Sequence, residues 1–216
     1  MTTSTPAPAG RPTPKHRLVL MRHGQTEWST AMKHTGLTDI PLTERGEELA
    51  QDIAPMMRLF DFSLVLSSPL QRARRTAELA GLTDVEIEPA LVEWDYGGYE
   101  GLTTSEIRER LGYEWNVWDD GVVPGESPGE TIEQVSARAR SVIDRVRPAL
   151  DVGDVALVAH GHLLRVLASV WLRTEPRFGA QLILDPGAIC VLAYERHNPA
   201  IQHWNLLPLE EALPVD

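Results

Sequence analysis

From Arg17 onward the chain alternates short apolar runs with longer stretches whose apolar positions recur at helical spacing. Residues 18–21 form a continuous apolar run that stops at the polar turn Arg22-His23-Gly24, as in a short strand buried on both faces. Leu49, Ile53, Met56 and Met57 fall on one helical face behind Thr43, a suitable N-cap, and Pro55 should end or kink that helix. Residues 64–66 predict a second strand. Ser68-Pro69-Leu70-Gln71 combines an N-cap, a proline at the first helical position and a capping-box glutamine, and predicts a helix to about Ala80. Residues 85–87 predict a third strand, Thr103 with Glu106 a second capping box and Thr131 with Gln134 a third. The last opens a helix with Ile132, Val135, Ala139, Val142, Ile143 and Val146 on one face, ended by Pro148. Residues 155–159 predict a strand, 161–172 a helix, and 188–194 with 201–206 two closing strands. This alternation predicts an α/β fold, a three-layer α/β/α sandwich with a mostly parallel central sheet. The stretch 94–128, rich in Gly and Trp, follows no period and is the expected lid over a site.

Length and composition narrow the classes. The 216 residues suit one domain, expected over 16–210. Residues 1–15, with Pro6, Pro8, Pro12 and Pro14, offer no core-forming stretch and no signal-peptide apolar segment, and read as a disordered tail, with 211–216 as a short C-terminal one. Acidic residues outnumber basic ones 31 to 20, for a net charge of −11. That speaks against nucleic-acid and anionic-membrane partners, which require a broad positive surface, but leaves room for a small positive pocket. One cysteine, Cys190, excludes an internal disulfide framework and a cysteine-built zinc site. The most apolar run, 163–172, is interrupted by Arg165 and is far short of the roughly 18 residues of a membrane span. The expectation is a soluble cytoplasmic protein, able to pair through an exposed sheet edge as a homodimer.

Ligands of open α/β sheets bind beyond the carboxyl ends of the strands. Here 18–21 runs into Arg22-His23-Gly24, 155–159 into His160-Gly161-His162, and 64–66 into Ser67-Ser68 with Arg72 one turn further on. Any one of these reads as readily as a hydrogen-bonded histidine or a solvated arginine; three coincident strand ends make that reading harder to sustain. Arginine forks match phosphate oxygens and stay charged. A neutral imidazole held in one tautomer is a competent nucleophile toward phosphorus, and a second, protonated imidazole would donate to an equatorial oxygen. Phosphoryl transfer also needs a proton for the leaving oxygen, and Glu93, flanked by Trp94 and Tyr96, is the chosen carboxyl, against an exposed loop carboxylate as the plain alternative.

The segment Arg22-His23-Gly24-Gln25-Thr26-Glu27-Trp28 resembles the Arg-His-Gly signature of the histidine phosphatase superfamily, which includes the cofactor-dependent phosphoglycerate mutases. The resemblance continues, in the family's order, through 36–43, 67–73, 93–97, 125–127 and 159–162. It implies His23 as the phosphorylated nucleophile, Arg22, Arg72 and His160 as the rest of the phosphate pocket, and Glu93 as proton donor. It also implies substrate contacts at Gly36, Leu37 and Thr38, and a structural role for His162. Ser29 stands where the mutases have a phosphate-touching asparagine. Where the mutases carry Trp-Arg-Arg this chain has Trp118-Asp119-Asp120, two carboxylates expected to repel a second phosphate or to accept from sugar hydroxyls. The sequence is closer to the phosphatase branch, similar to sedoheptulose-1,7-bisphosphatase and actinobacterial acid phosphatases. Taken together, the resemblance implies a metal-independent, cofactor-free phosphatase acting on small phosphate esters. The alternatives are a phosphoglycerate mutase, a sugar bisphosphatase, a silent phosphate-binding or protein-interaction domain, and a metallohydrolase using His160-x-His162 with His23 or His34.

Overall fold

The computed structural model describes residues 15–208, so the expected tails at 1–15 and 211–216 lie, apart from Lys15, outside the described residues. Six strands, β1 (Leu18–Arg22), β2 (Phe62–Ser67), β3 (Val85–Ile87), β4 (Asp154–Ala159), β5 (Ile189–Glu195) and β6 (Asn198–Leu206), form one sheet in the order β3-β2-β4-β1-β5-β6. The four strands from β3 to β1 are parallel; β5 and β6 add on antiparallel. The helices are α1 (Glu27–Thr30), α2 (Glu44–Asp52), α3 (Ala54–Met57), α4 (Gln71–Leu79), α5 (Thr104–Leu111), α6 (Val117–Asp120), α7 (Ile132–Val146) and α8 (Gly161–Trp171). Among the described residues no helix is long and apolar enough to cross a membrane.

Alternation along the central strands sorts the core into two layers. Leu18, Leu20, Val155, Leu157 and Ala159 pack with the apolar stripes of α7 and α8 on one face. Val19, Met21, Ala156 and Val158 pack with Ile53, Met57, Ala73 and Ala77 from α2–α4 and the turns between them on the other. The Thr103 and Thr131 capping boxes form as the sequence indicates, and Thr43 caps α2, which stops before Pro55.

One expectation is corrected. Ser68 does not cap α4: the helix begins at Gln71, and its first N–H is taken by Asp39 Oδ1 at 2.7 Å, a carboxylate from a distant loop. Ser68 is turned instead toward His160. The stretch 94–128, the expected lid, packs onto the core. It contains α5 and α6, and Trp94, Tyr96, Tyr99, Trp115 and Trp118 are all buried in the larger core layer. Its rings are spaced by turns and caps rather than by one period, which hid their common burial.

The parallel register places three strand ends side by side. Arg22 pairs with Ala159 and Ser67 with Val158, so His23, His160 and Ser68 emerge at one edge. The turn after β1 is clamped between helices, for Gly24 N–H donates to Thr76 Oγ1 of α4 at 3.0 Å and Thr43 N–H to the Gln25 carbonyl at 2.9 Å. Gly46 of α2 lies against this turn so closely that a Cβ there would sit 2.1 Å from the Gln25 carbonyl oxygen. Gly46→Ala should therefore lose about 1–3 kcal/mol of stability through overpacking, although helix propensity alone would favour alanine by about 1 kcal/mol. A lowered urea midpoint checks this; a raised one contradicts the clamp.

Candidate active site

The strand ends open into a cavity of about 360 Å³. Arg22, His23 and Glu93 line it together with Lys33, His34, Tyr96, Trp115, Trp118, His162 and Arg165, among others. His23 Nδ1 lies 2.7 Å from the Gly24 carbonyl oxygen. A carbonyl only accepts, so Nδ1 carries the proton and Nε2 keeps its lone pair. Burial, with the charges of Arg72 and Arg22, holds the His23 pKa well below the usual imidazole range, so the ring is neutral.

His160 is fully buried beneath this ring, with centroids 5.1 Å apart. Arg72 Nε–H donates to its Nδ1 at 3.2 Å, so the proton sits on Nε2 and is given to Ser68 Oγ at 2.8 Å. Burial and the charges of Arg72, His23 and Arg22 hold its pKa well down. The expected protonated donor is thus corrected to a neutral ring with both nitrogens engaged.

Arg72 is also fully buried. Its remaining nitrogens donate to the Thr38, Gly36 and Thr35 carbonyls at 2.8, 2.9 and 3.3 Å. Neither Arg72 nor His160 lines the cavity; both lie under it. Of Gly36, Leu37 and Thr38, expected to touch substrate, Gly36 and Thr38 join Thr35 in cradling Arg72, and Glu100 Oε1 accepts from the Gly36 and Thr38 N–H groups at 2.9 and 3.2 Å. Leu37 is exposed, and none of the three lines the cavity. Ser29 does, but its hydroxyl accepts from Thr26 N–H and donates to the Thr26 carbonyl, closing the capping box of α1. Arg22 donates through Nη1 to the Leu184 carbonyl, while its buried Nε–H has no acceptor among the described residues.

Glu93 is buried rather than an exposed loop carboxylate. Oε1 accepts from Trp94 and Leu163 N–H at 2.9 and 2.8 Å, and Oε2 from His162 N–H at 3.0 Å. The carboxylate therefore closes the amino end of α8, where a helix leaves N–H groups unpaired. Its loop is fixed by Arg138, which donates to the Ala90, Val92 and Glu93 carbonyls and pairs with Glu130 at 2.7 Å.

His160 and His162 do not converge. His162 Nδ1 is 2.7 Å from Tyr96 Oη, and its ring lies 5.1 Å from that of Trp118. Among the described residues no group of three or more His, Cys, Asp or Glu side chains is arranged to hold a metal ion. Asp119 and Asp120 are placed outside the cavity. Both are exposed and bind Asn116 at the cap of α6, Asp119 through the side-chain amide and Asp120 through the backbone N–H. The sequence reading missed Arg165 as a cavity residue, although its signal was present: a single charge inside an otherwise apolar helix.

The sequence profile described as histidine phosphatase superfamily, branch 1, matches residues 18–207. An acid phosphatase of Mycobacterium tuberculosis is 40% identical, the match covering 83% of this chain and 87% of that protein. The sedoheptulose 1,7-bisphosphatase of Saccharomyces cerevisiae is 36% identical over 86% of this chain and 91% of its own length. The solved structure of a Mycobacterium tuberculosis open reading frame superposes with a TM-score of 0.84 at 36% identity, covering 90% of this chain and 99% of that one.

Four imidazoles make stability depend on pH. Burial drives the pKa of His34 down to about 4 and those of His23, His160 and His162 well below the usual value. Below about pH 6.5 the unfolded chain binds protons at these rings that the folded chain refuses, so stability rises with pH there and is lost on acidification. Each ring contributes a slope of up to about 1.4 kcal/mol per pH unit. Urea unfolding between about pH 7 and pH 5 should show this fall, and His34→Gln should remove about one proton from the slope. A flat profile contradicts the assignment.

Proposed function

Since the chain belongs to the histidine phosphatase superfamily, we propose that it is a metal-independent phosphatase that hydrolyses small phosphorylated metabolites, sugar phosphates among them, through a phosphohistidine at His23. One observation above all supports the reading: the Nδ1–H donation of His23 to Gly24, which leaves a neutral ring with Nε2 free in the cavity. The M. tuberculosis acid phosphatase and the yeast sedoheptulose 1,7-bisphosphatase, by their names, act on phosphate esters, which agrees with it.

In this mechanism Nε2 attacks phosphorus in line and the bond to the ester oxygen breaks. Arg22 offers its unpartnered Nε–H to an equatorial oxygen, and Arg72 adds charge from beneath. Glu93 delivers a proton to the leaving oxygen. Oε2, which accepts one N–H where Oε1 accepts two, is the oxygen with room to carry it. Water then attacks the phosphohistidine, the Glu93 carboxylate takes its proton, and phosphate departs with His23 neutral again. His160 acts as a positioning residue, linking Arg72 to Ser68.

His23→Ala should lose turnover by more than about a thousandfold, the scale of losing a nucleophile, together with all acid-labile phosphate on the protein. Retention of the label would move the nucleophile elsewhere. Glu93→Gln should slow alkyl phosphates by about 10²–10⁴-fold and aryl phosphates far less, because a good leaving group departs unprotonated. Equal slowing would assign Glu93 to holding α8 rather than to proton transfer. Turnover that requires added 2,3-bisphosphoglycerate would favour a mutase.

A further inference from the structure

The carbonyl that takes the His23 Nδ1 proton belongs to a glycine, and a glycine does not fix the direction of its own carbonyl. Gly24 must lack a side chain, for a Cβ there would lie 2.3 Å from the Gly46 carbonyl oxygen. Without one its backbone is free over a wide range of ψ, so the oxygen that accepts from His23 has to be aimed from outside. His23 itself is held on both sides, its N–H by the Ala159 carbonyl at 2.9 Å and its carbonyl by Gly187 N–H at 3.0 Å. Beyond the glycine, the Gln25 carbonyl takes Thr43 N–H at 2.9 Å. Between these anchors, among the described residues, Gly24 has one hydrogen bond besides that to the His23 ring. Its N–H donates to Thr76 Oγ1 at 3.0 Å.

Thr76 is fully buried on the face of α4 that also carries Arg72, Ala73 and Ala77. A β-branched hydroxyl residue inside a helix, packed beside alanines, is favoured neither by helix propensity nor by burial. Its hydroxyl donates to the Arg72 carbonyl one turn back, at 2.7 Å. A carbonyl only accepts, so the hydroxyl proton is committed to Arg72 and a lone pair faces Gly24. The contacts run in one sense from the nucleophile to the helix. His23 Nδ1–H donates to the Gly24 carbonyl, Gly24 N–H to the Thr76 hydroxyl, and that hydroxyl to the Arg72 backbone. The guanidinium of the same Arg72 reaches His160 and the 35–38 carbonyls. One face of α4 therefore meets the site twice, by charge through Arg72 and by geometry through Thr76. As Nε2 bonds to phosphorus the ring gains positive charge, so a correctly aimed carbonyl at Nδ1 stabilises the transition state more than the resting ring.

We propose that Thr76 is a positioning residue for phosphoryl transfer: by pinning Gly24 to α4 it aims the carbonyl that keeps the His23 proton on Nδ1 and presents Nε2 to phosphorus. The inference rests on the phosphatase reading and adds to it a residue that touches neither the substrate nor the His23 ring.

The test compares Thr76→Val and Thr76→Ser, each in the full chain, with the wild-type protein. Valine keeps the shape and removes the acceptor, whereas serine keeps the acceptor. Nitrogen-15 NMR of ring-labelled histidine reads the His23 tautomer, single-turnover transfer from an aryl phosphate reads the chemical step, and the affinity for inorganic phosphate reads binding. Thr76→Val should let an Nε2–H tautomer of His23 appear and slow transfer by about 10- to 100-fold, the scale of a misplaced reacting group. Phosphate affinity should stay within about twofold, because the interaction lost is one made in the transition state. Thr76→Ser should restore the wild-type tautomer and most of the rate. Thr76→Cys, whose sulfur is a weak acceptor, carries the test should Thr76→Val not fold, with tautomer and rate moving in the same direction. A folded Thr76→Val protein with wild-type ring shifts and transfer rate would overturn the proposal. A serine variant as slow as the valine one would do so too, since the loss would then lie in packing and not in the hydroxyl. Failure of the wild-type protein to release phosphate from the aryl ester would instead overturn the phosphatase reading, and the tautomer comparison would still decide the role of Thr76.

Discussion

The buried guanidinium of Arg72 is the interaction on which the site depends. It has no carboxylate within ion-pair distance among the described residues and is held by the Thr35, Gly36 and Thr38 carbonyls and by His160 Nδ1. Burying a cation without an ion partner costs several kcal/mol, so the carbonyls that offset this are fixed in place with it. Through them the 35–38 loop is tied to α4, and through His160 the end of β4 is tied to Ser68 at the end of β2. The same charge acts upward on His23 and His160 and helps to keep both imidazoles neutral. One residue thus fixes both the geometry of the floor and the protonation of the ring above it.

The upper part of the cavity depends on aromatic packing. Trp94 Nε1–H donates to the Glu130 carbonyl at 2.8 Å, and Glu130 is in turn paired with Arg138, which holds the Glu93 loop. Trp118 sits edge-on to Trp94 and beside His162 and Arg165. The wall that shapes the pocket is therefore continuous with the hydrophobic core, and substitutions in it exchange stability for selectivity.

Much of this was legible in the chain. Apolar runs ending in Arg22-His23-Gly24 and His160-Gly161-His162 gave the strand ends, and a parallel sheet necessarily brings such ends to one edge. What was not legible depended on contacts remote in sequence. Ser68 carries the local signature of an N-cap, but Asp39 supplies that function from another loop and frees Ser68 for His160. Gly36, Leu37 and Thr38 gave no sign that their segment serves Arg72 through its backbone carbonyls. The Asp119-Asp120 pair looked like a charge filter because sequence gives order and not direction; both side chains turn back to Asn116. Arg165 was visible as the break in an apolar helix, yet only the fold shows which space that break faces.

The central claim is that His23 is neutral, protonated on Nδ1, with Nε2 available as a nucleophile. Nitrogen-15 NMR of ring-labelled histidine, assigned by comparison with the His23→Ala protein, tests it directly. The account predicts a His23 ring whose Nδ1 shift is that of a protonated nitrogen and whose Nε2 shift is that of a bare one, unchanged from about pH 8 to pH 6.5, where a free imidazole is already half charged. A ring that becomes an imidazolium within that interval, or one protonated on Nε2 instead, would contradict it.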